Sequence, residues 1–186
     1  STICYWDMRH FDTLTHQALP GLPQPDLLAV NGDHAWQMLK DSGYSMEQCV
    51  PVEALRYQYL ATLNSKDLVK VSESRTKRIL VLGDIQTETT HQMLLQLEDA
   101  YSQLNKKVEV WIKPHSANPV DLRWYPQLPA TLKDQFLMDL FPDVGVVLAS
   151  VFTSASLDAF CAGLPVINYL DPNNFNFSPL RGYPNT

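Results

Sequence analysis

The sequence predicts an α/β protein built on a parallel sheet with helices on both faces. Three observations carry this. From residue 78 on, short apolar runs alternate with helical patterns in the order β-α-β-loop-α-β-α-β, as crossover connections between parallel strands require. The runs are also too continuous to leave one face wet: Ile79-Leu80-Val81-Leu82 contains no polar residue, which suits a strand covered on both sides. Finally, Met93, Leu94, Leu97, Ala100, Tyr101 and Leu104 recur at three- and four-residue steps within Thr87 to Asn105, the period of an amphipathic helix.

Taken in order, Ser1 to Pro25 has no period, and prolines at 20, 23 and 25 forbid a helix there. Leu27 to Val30 reads as a short buried strand ending at Asn31-Gly32. Asp33 is suited to cap a helix running to Ser42, with Trp36, Leu39 and Lys40 on its inner face and Gly43 ending it. Val50-Pro51-Val52 reads as a strand, and Ala54 to Leu63 as a helix or turn. The polar stretch from Asn64 to Lys77 reads as a linker. Arg78 to Gly83 is then a strand, Thr87 to Asn105 a helix, and Val108 to Ile112 a strand that runs into Lys113-Pro114-His115. Asn118 to Leu132 holds three prolines and reads as a loop, and Lys133 to Phe141 as a short helix. Val146 to Ile167 gives strand, hydroxyl-rich turn, short helix, a stop at Gly163 and a second strand. Asp171 to Thr186 is rich in Pro and Asn and has no closing helix, so the chain is expected to be part of something larger.

Composition narrows the function classes. The 186 residues are 45% hydrophobic and 18% charged, as in an ordinary globular protein. A net charge of −6 speaks against nucleic-acid binding through a basic surface. Cys4, Cys49 and Cys161 are odd in number, far apart and without metal spacing, which predicts a reducing compartment. Cys161 is expected to be a buried small hydrophobe. Ser1 to Trp6 lacks the pattern of a signal peptide, and the longest apolar stretch, around Val144 to Phe152, is about half of what a bilayer requires. A cytoplasmic location is therefore expected.

In open parallel sheets, ligands sit beyond the carboxyl ends of the strands. Three predicted strand ends carry polar residues there: Gly83-Asp84, Lys113-Pro114-His115, and Thr153-Ser154-Ala155-Ser156. Lysine suits a phosphate as a point charge, and histidine can donate to a phosphate oxygen or move a proton near neutrality. Hydroxyls at a strand-to-helix turn offer side-chain donors beside exposed backbone N–H groups, although Ser and Thr also cap helices without any ligand. Asp158, one turn into that helix, either complements its dipole or accepts from ribose hydroxyls. Other features carry less. Gly83 stands alone, so no dinucleotide fingerprint exists. His10, His16, His34 and His91 are scattered without metal spacing, no Gly-x-Ser-x-Gly elbow occurs, and Arg56 reads as a structural residue.

These residues carry a resemblance. Leu157-Asp158-Ala159-Phe160-Cys161-Ala162-Gly163-Leu164-Pro165-Val166-Ile167 resembles the signature helix of GT-B glycosyltransferases. Its pattern is Leu-Glu-Ala, a few small or apolar residues, Gly, any residue, then Pro-Val-Ile. The acid that binds the donor ribose falls on Asp158, one methylene shorter than the family's Glu. Lys113-Pro114-His115 resembles the Lys-Pro-His-Pro motif of bacterial sialyltransferases, polysialyltransferases and glycerophosphate polymer transferases, with Ser116 in place of the last proline. In those enzymes the His touches the nucleotide phosphate. Thr153-Ser154 resembles their paired hydroxyl motif, which grips the same phosphate. Leu27 to Tyr44 with Val50-Pro51-Val52 and Leu55-Arg56-Tyr57 looks like the last β-α-β of a GT-B N-terminal domain. Trp6-Asp7-Met8-Arg9 resembles a segment of bacterial surface-carbohydrate biosynthesis proteins.

The resemblance implies the C-terminal half of a GT-B fold, Rossmann-like, preceded by a remnant of the N-terminal domain. Residues 1–63 would be that remnant, 64–77 a linker and 78–186 a nucleotide-sugar donor-binding domain, incomplete at its end. The implied function is donor binding in a glycosyltransferase for bacterial surface polysaccharide. His115 would be catalytic. Lys113, His115, Thr153, Ser154, Ser156, Gly83 and Asp84 would bind nucleotide and phosphate, and Asp158 the ribose. The donor, of CMP, CDP or UDP type, would be a substrate, with no cofactor and no metal. A glycan or lipid-linked acceptor would come through the absent domain, so the chain alone should bind better than it turns over. Association with the inner membrane face and oligomer formation stay open. Two rivals are a nucleotide-sugar epimerase of the same fold and a non-catalytic, degenerate domain.

Overall fold

The computed structural model describes residues 26–41, 43–62, 77–103 and 108–172, with 176, 178 and 180. Outside these residues lie the readings of Ser1 to Pro25 (Cys4, Trp6 to Arg9, His10 and His16), Ser42, Leu63, most of the linker, Leu104 and Asn105. The same holds for most of the C-terminal stretch and for the side chain of Arg56. The chain divides into two compact units, Ser1–Tyr59 and Leu60–Thr186.

In the first unit, strands β1 (Leu28–Val30) and β2 (Cys49–Pro51) pair in parallel, with Leu28 opposite Cys49. Helix α1 (Asp33–Asp41) connects them. Its one fully buried side chain, Leu39, packs in a cluster with Leu28, Val30, Tyr44 and Cys49. Gly43, at φ +76°, ends the helix. Its N–H donates to Lys40 O and that of Tyr44 to Leu39 O, both at 3.0 Å, a left-handed cap that returns Tyr44 to the cluster. β2 starts at Cys49, one residue before the expected Val50, because the Cys49 side chain is the buried one. A 3₁₀ run occupies Leu55–Thr62.

The second unit is α/β with a five-stranded, all-parallel, Rossmann-like sheet. Its strands are β3 (Arg78–Leu82), β4 (Glu109–Lys113), β5 (Ala130–Leu132), β6 (Val146–Ser150) and β7 (Val166–Tyr169). Their spatial order is β5-β4-β3-β6-β7. Helices α2 (Thr87–Ser102), α3 (Leu137–Leu140) and α4 (Ala155–Cys161) connect them. Alternation along the strands divides the core into two layers. Leu80, Leu82, Val147 and Ala149 face Leu140, Phe141 and the Ala159 and Ala162 of the α4 segment. Val81, Val110 and Ile112 face Met93 and Leu94 of α2, with Tyr125 and Leu128. Each fully buried leucine contributes about 2 kcal/mol of transfer free energy, so these layers are where the fold draws its stability.

In α1, Asp33 is the first helical residue and not the cap, and Lys40 is exposed and not on the inner face. Two further elements differ in kind from the sequence reading. The stretch from Asn118 to Leu132 is not all loop: it ends in edge strand β5, paired to β4 with Val110 opposite Ala130. Three residues behind Pro129 are too few to display a two-residue period. The helix expected over Lys133 to Phe141 is only Leu137–Leu140, followed by a 3₁₀ turn over Phe141–Asp143. Lys133 N–H bonds Ile112 O at 2.8 Å and so prolongs the strand geometry, and Phe136 is extended at ψ 144°. Pro142 then forces the tighter turn. Cys161 is exposed at the end of α4, not buried. Among the described residues no helix is long and apolar enough to cross a membrane.

Candidate functional site

The sheet order places the three polar strand ends side by side. β3 lies between β4 and β6, with Leu82 opposite both Lys113 and Ala149. The chain leaves β3 for α2 on one face and leaves β6 for α4 on the other. The gap between these two neighbouring strands is therefore a topological switch point, where open parallel sheets form their ligand crevice.

Gly83 sits where the β3 and β4 ends touch. Its N–H donates to Lys113 O at 2.9 Å. A Cβ at this position would stand 2.7 Å from His115 N and 3.1 Å from Pro114 Cα, so only glycine lets the Lys113–His115 segment approach so closely. Pro114 fixes φ between the two candidate phosphate ligands.

Asp84 is 1% exposed. One of its carboxylate oxygens accepts from Gln86 N–H at 2.7 Å, and the other from the Ser150 hydroxyl across the switch point. Ser150 Oγ in turn accepts from Phe152 N–H at 3.2 Å. Asp84 N–H donates to Thr90 Oγ1 at 2.8 Å. Asn118 Nδ2 donates to Asp84 O at 3.2 Å and also to Ile85 O. One buried carboxylate thus knits the loops after β3 and β6, and Asn118 ties in the loop after β4. With both oxygens engaged, Asp84 holds the edge together and is not presented to a ligand. Ser150, Asn118 and Thr90 were not singled out by the sequence. The signal for Ser150 is a hydroxyl closing an otherwise apolar strand.

Lys113 and His115 are both half-buried. Lys113 Nζ donates to Asp134 O at 2.9 Å. His115 Nδ1 accepts from Ala117 N–H at 3.2 Å, and Asn118 N–H donates to His115 O at 2.9 Å. With Nδ1 accepting, the neutral ring carries its proton on Nε2, which makes Nε2–H a donor.

After β6, Thr153 Oγ1 accepts from Ala155 N–H at 3.3 Å. Ser154 precedes α4 in helical geometry and makes no side-chain cap bond. Ser156 is fully buried, and its hydroxyl donates to Thr153 O at 2.8 Å. Asp158 is 5% exposed. Thr153 and Ser154 therefore line the edge, whereas Ser156 and Asp158 are turned inward in this conformation. Gly163, at φ +78°, closes α4 with N–H bonds from Gly163 to Phe160 O and from Leu164 to Ala159 O, which sends the chain into β7.

No family model matches this chain, and neither a curated protein nor a solved structure matches it. The functional reading rests on the geometry of the edge and on the motifs it carries. Among the described residues no three His, Cys, Asp or Glu side chains gather as a metal-binding group.

Proposed function

We propose that the carboxyl edge of this sheet is the donor site of a nucleotide-sugar-dependent glycosyltransferase of the GT-B kind, which builds bacterial surface polysaccharide. The observation that carries the reading is the meeting of Gly83, Lys113–His115 and Thr153–Ser154 at the switch point between β3 and β6. The motif resemblance of Lys113-Pro114-His115 and of Leu157 to Ile167 supports it.

In this reading the diphosphate or phosphate of the donor lies across the strand ends. Lys113 exchanges the Asp134 carbonyl for a phosphate oxygen. The exchange is favourable, because the ammonium then faces a full negative charge in place of a carbonyl dipole. His115 donates from Nε2. Thr153 and Ser154 add hydroxyl contacts. Transfer is a displacement at the anomeric carbon, in which the bond to the phosphate oxygen breaks as the acceptor oxygen bonds to carbon. Donors already in place stabilise the charge left on the departing phosphate. The acceptor and its base would come from outside these strand ends. The Lys-Pro-His resemblance points to a cytidine nucleotide.

Replacing His115 by alanine is expected to weaken nucleotide affinity or slow turnover about tenfold, the worth of one charge-assisted bond. Isothermal titration with CMP, CDP and UDP on the wild-type chain and the variant checks this, and unchanged affinity and rate would sink the assignment of His115. The burial of Ser156 and Asp158 favours a second reading, nucleotide binding without turnover. That reading predicts saturable nucleotide binding with no sugar transfer.

A further inference from the structure

On the α2 face of the sheet, the first turns of α2 and the connection from β4 to β5 line an open cavity of about 360 Å³. Three ring-bearing residues, His91, Trp124 and Tyr125, contribute to its wall. Tyr125 is buried, while Trp124 leaves 66% of its surface exposed. The rings of His91 and Trp124 stand at 89° with centroids 5.7 Å apart, and those of His91 and Tyr125 at 51° and 5.6 Å. The Tyr125 hydroxyl lies 2.7 Å from His91 Nδ1, which fixes both rings. The three rings thus stand at angles to one another beside one opening and do not form a flat platform.

The charge of the lining has one sign. Glu88 and Asp121 are its charged residues, and neither lysine nor arginine lines the cavity. Asp121 is already paired: bonds from Arg123 hold its carboxyl below the usual carboxylate range. Glu88 is exposed and pairs with no cation among the lining residues; its Oε1 accepts from Gln92 Nε2 at 2.7 Å. Its field reaches the aromatic wall. Burial, then Glu98 and Glu88, push the Tyr125 hydroxyl above the ordinary tyrosine value.

Aromatic faces attract cations, most strongly where water is partly excluded. A carboxylate beside them repels phosphate and other anions. A compact, strongly hydrated ammonium would lose more solvation here than three rings and one carboxylate return, whereas an alkylated ammonium is weakly hydrated and fills such a corner. We propose that this cavity binds a small organic cation with an alkylated ammonium head, seated against Trp124, His91 and Tyr125 with Glu88 as counter-charge. The inference goes beyond the nucleotide reading and does not rest on it, since none of Lys113, His115, Thr153 and Ser154 lines this cavity.

The test is an NMR titration of the full chain with tetramethylammonium, with tert-butanol as an uncharged analogue of nearly the same size and shape, and with methyl glucoside. Saturable shifts from tetramethylammonium at the Trp124 indole and at His91 are expected, with the uncharged analogue binding about tenfold more weakly. Trp124→Ala should weaken the cation about tenfold. Glu88→Gln, which preserves shape, should weaken it about threefold without changing the affinity for the analogue. Equal binding of cation and analogue, saturable shifts from methyl glucoside alone, or no saturable shift from tetramethylammonium would each overturn the proposal.

Discussion

Replacing Asp84 by alanine is expected to remove about 3 kcal/mol from the stability of the sheet unit, read as a lowered urea midpoint. The carboxylate is 1% exposed and takes two donors, the Gln86 N–H and the Ser150 hydroxyl. Truncation removes the acceptor of both, the Ser150 hydroxyl in a fully buried position and the Gln86 N–H in a partly buried one, and each unmade buried bond costs about 1–3 kcal/mol. The loss should fall on the loops after β3 and β6, because Asp84 is what joins them. Asp84→Asn keeps the shape and one acceptor oxygen, so a cost of about half that size is expected. A double-mutant cycle of Asp84→Asn with Ser150→Ala isolates the pair. Coupling above about 1 kcal/mol is expected for directly bonded partners. Additive single effects would mean that the contact across the switch point contributes nothing.

The second large effect is at Gly83. A methyl group there meets backbone on the facing side, His115 N at 2.7 Å and Pro114 Cα at 3.1 Å. No flexible side-chain tip is available to yield, so the ends of β3 and β4 must separate. Overpacking of this kind costs about 1–3 kcal/mol. It also shifts His115 and loosens the bond from Gly83 N–H to Lys113 O. Gly83→Ala is therefore expected to lower stability and to weaken nucleotide binding about tenfold at temperatures where the variant stays folded. Circular dichroism melting and calorimetric titration with the same nucleotides separate the two effects. A variant as stable as the wild type would contradict the close approach.

Most of the sheet was legible because its strands are runs of apolar residues, and α2 because Met93, Leu94, Leu97, Ala100 and Tyr101 keep a helical step. β5 was not legible, since three residues on an edge carry no period. Within the site, the sequence marked the strand ends but could not tell which polar residues face a ligand and which join the loops. Asp84 and Ser150 are 66 positions apart, and only the placement of β3 beside β6 makes them partners. The inward turn of Ser156 is legible in the sequence. The residue lies three and six positions before Ala159 and Ala162, which are both in the core layer under the sheet. Helical spacing alone puts Ser156 on that inner face.

The most direct test of the donor-site reading is an NMR titration of the full chain with CMP, CDP and UDP. The account predicts saturable shifts clustered at Gly83, at Lys113 and His115, and from Thr153 to Asp158, with one base preferred. Shifts confined to other parts of the chain, or none at these residues, would contradict it.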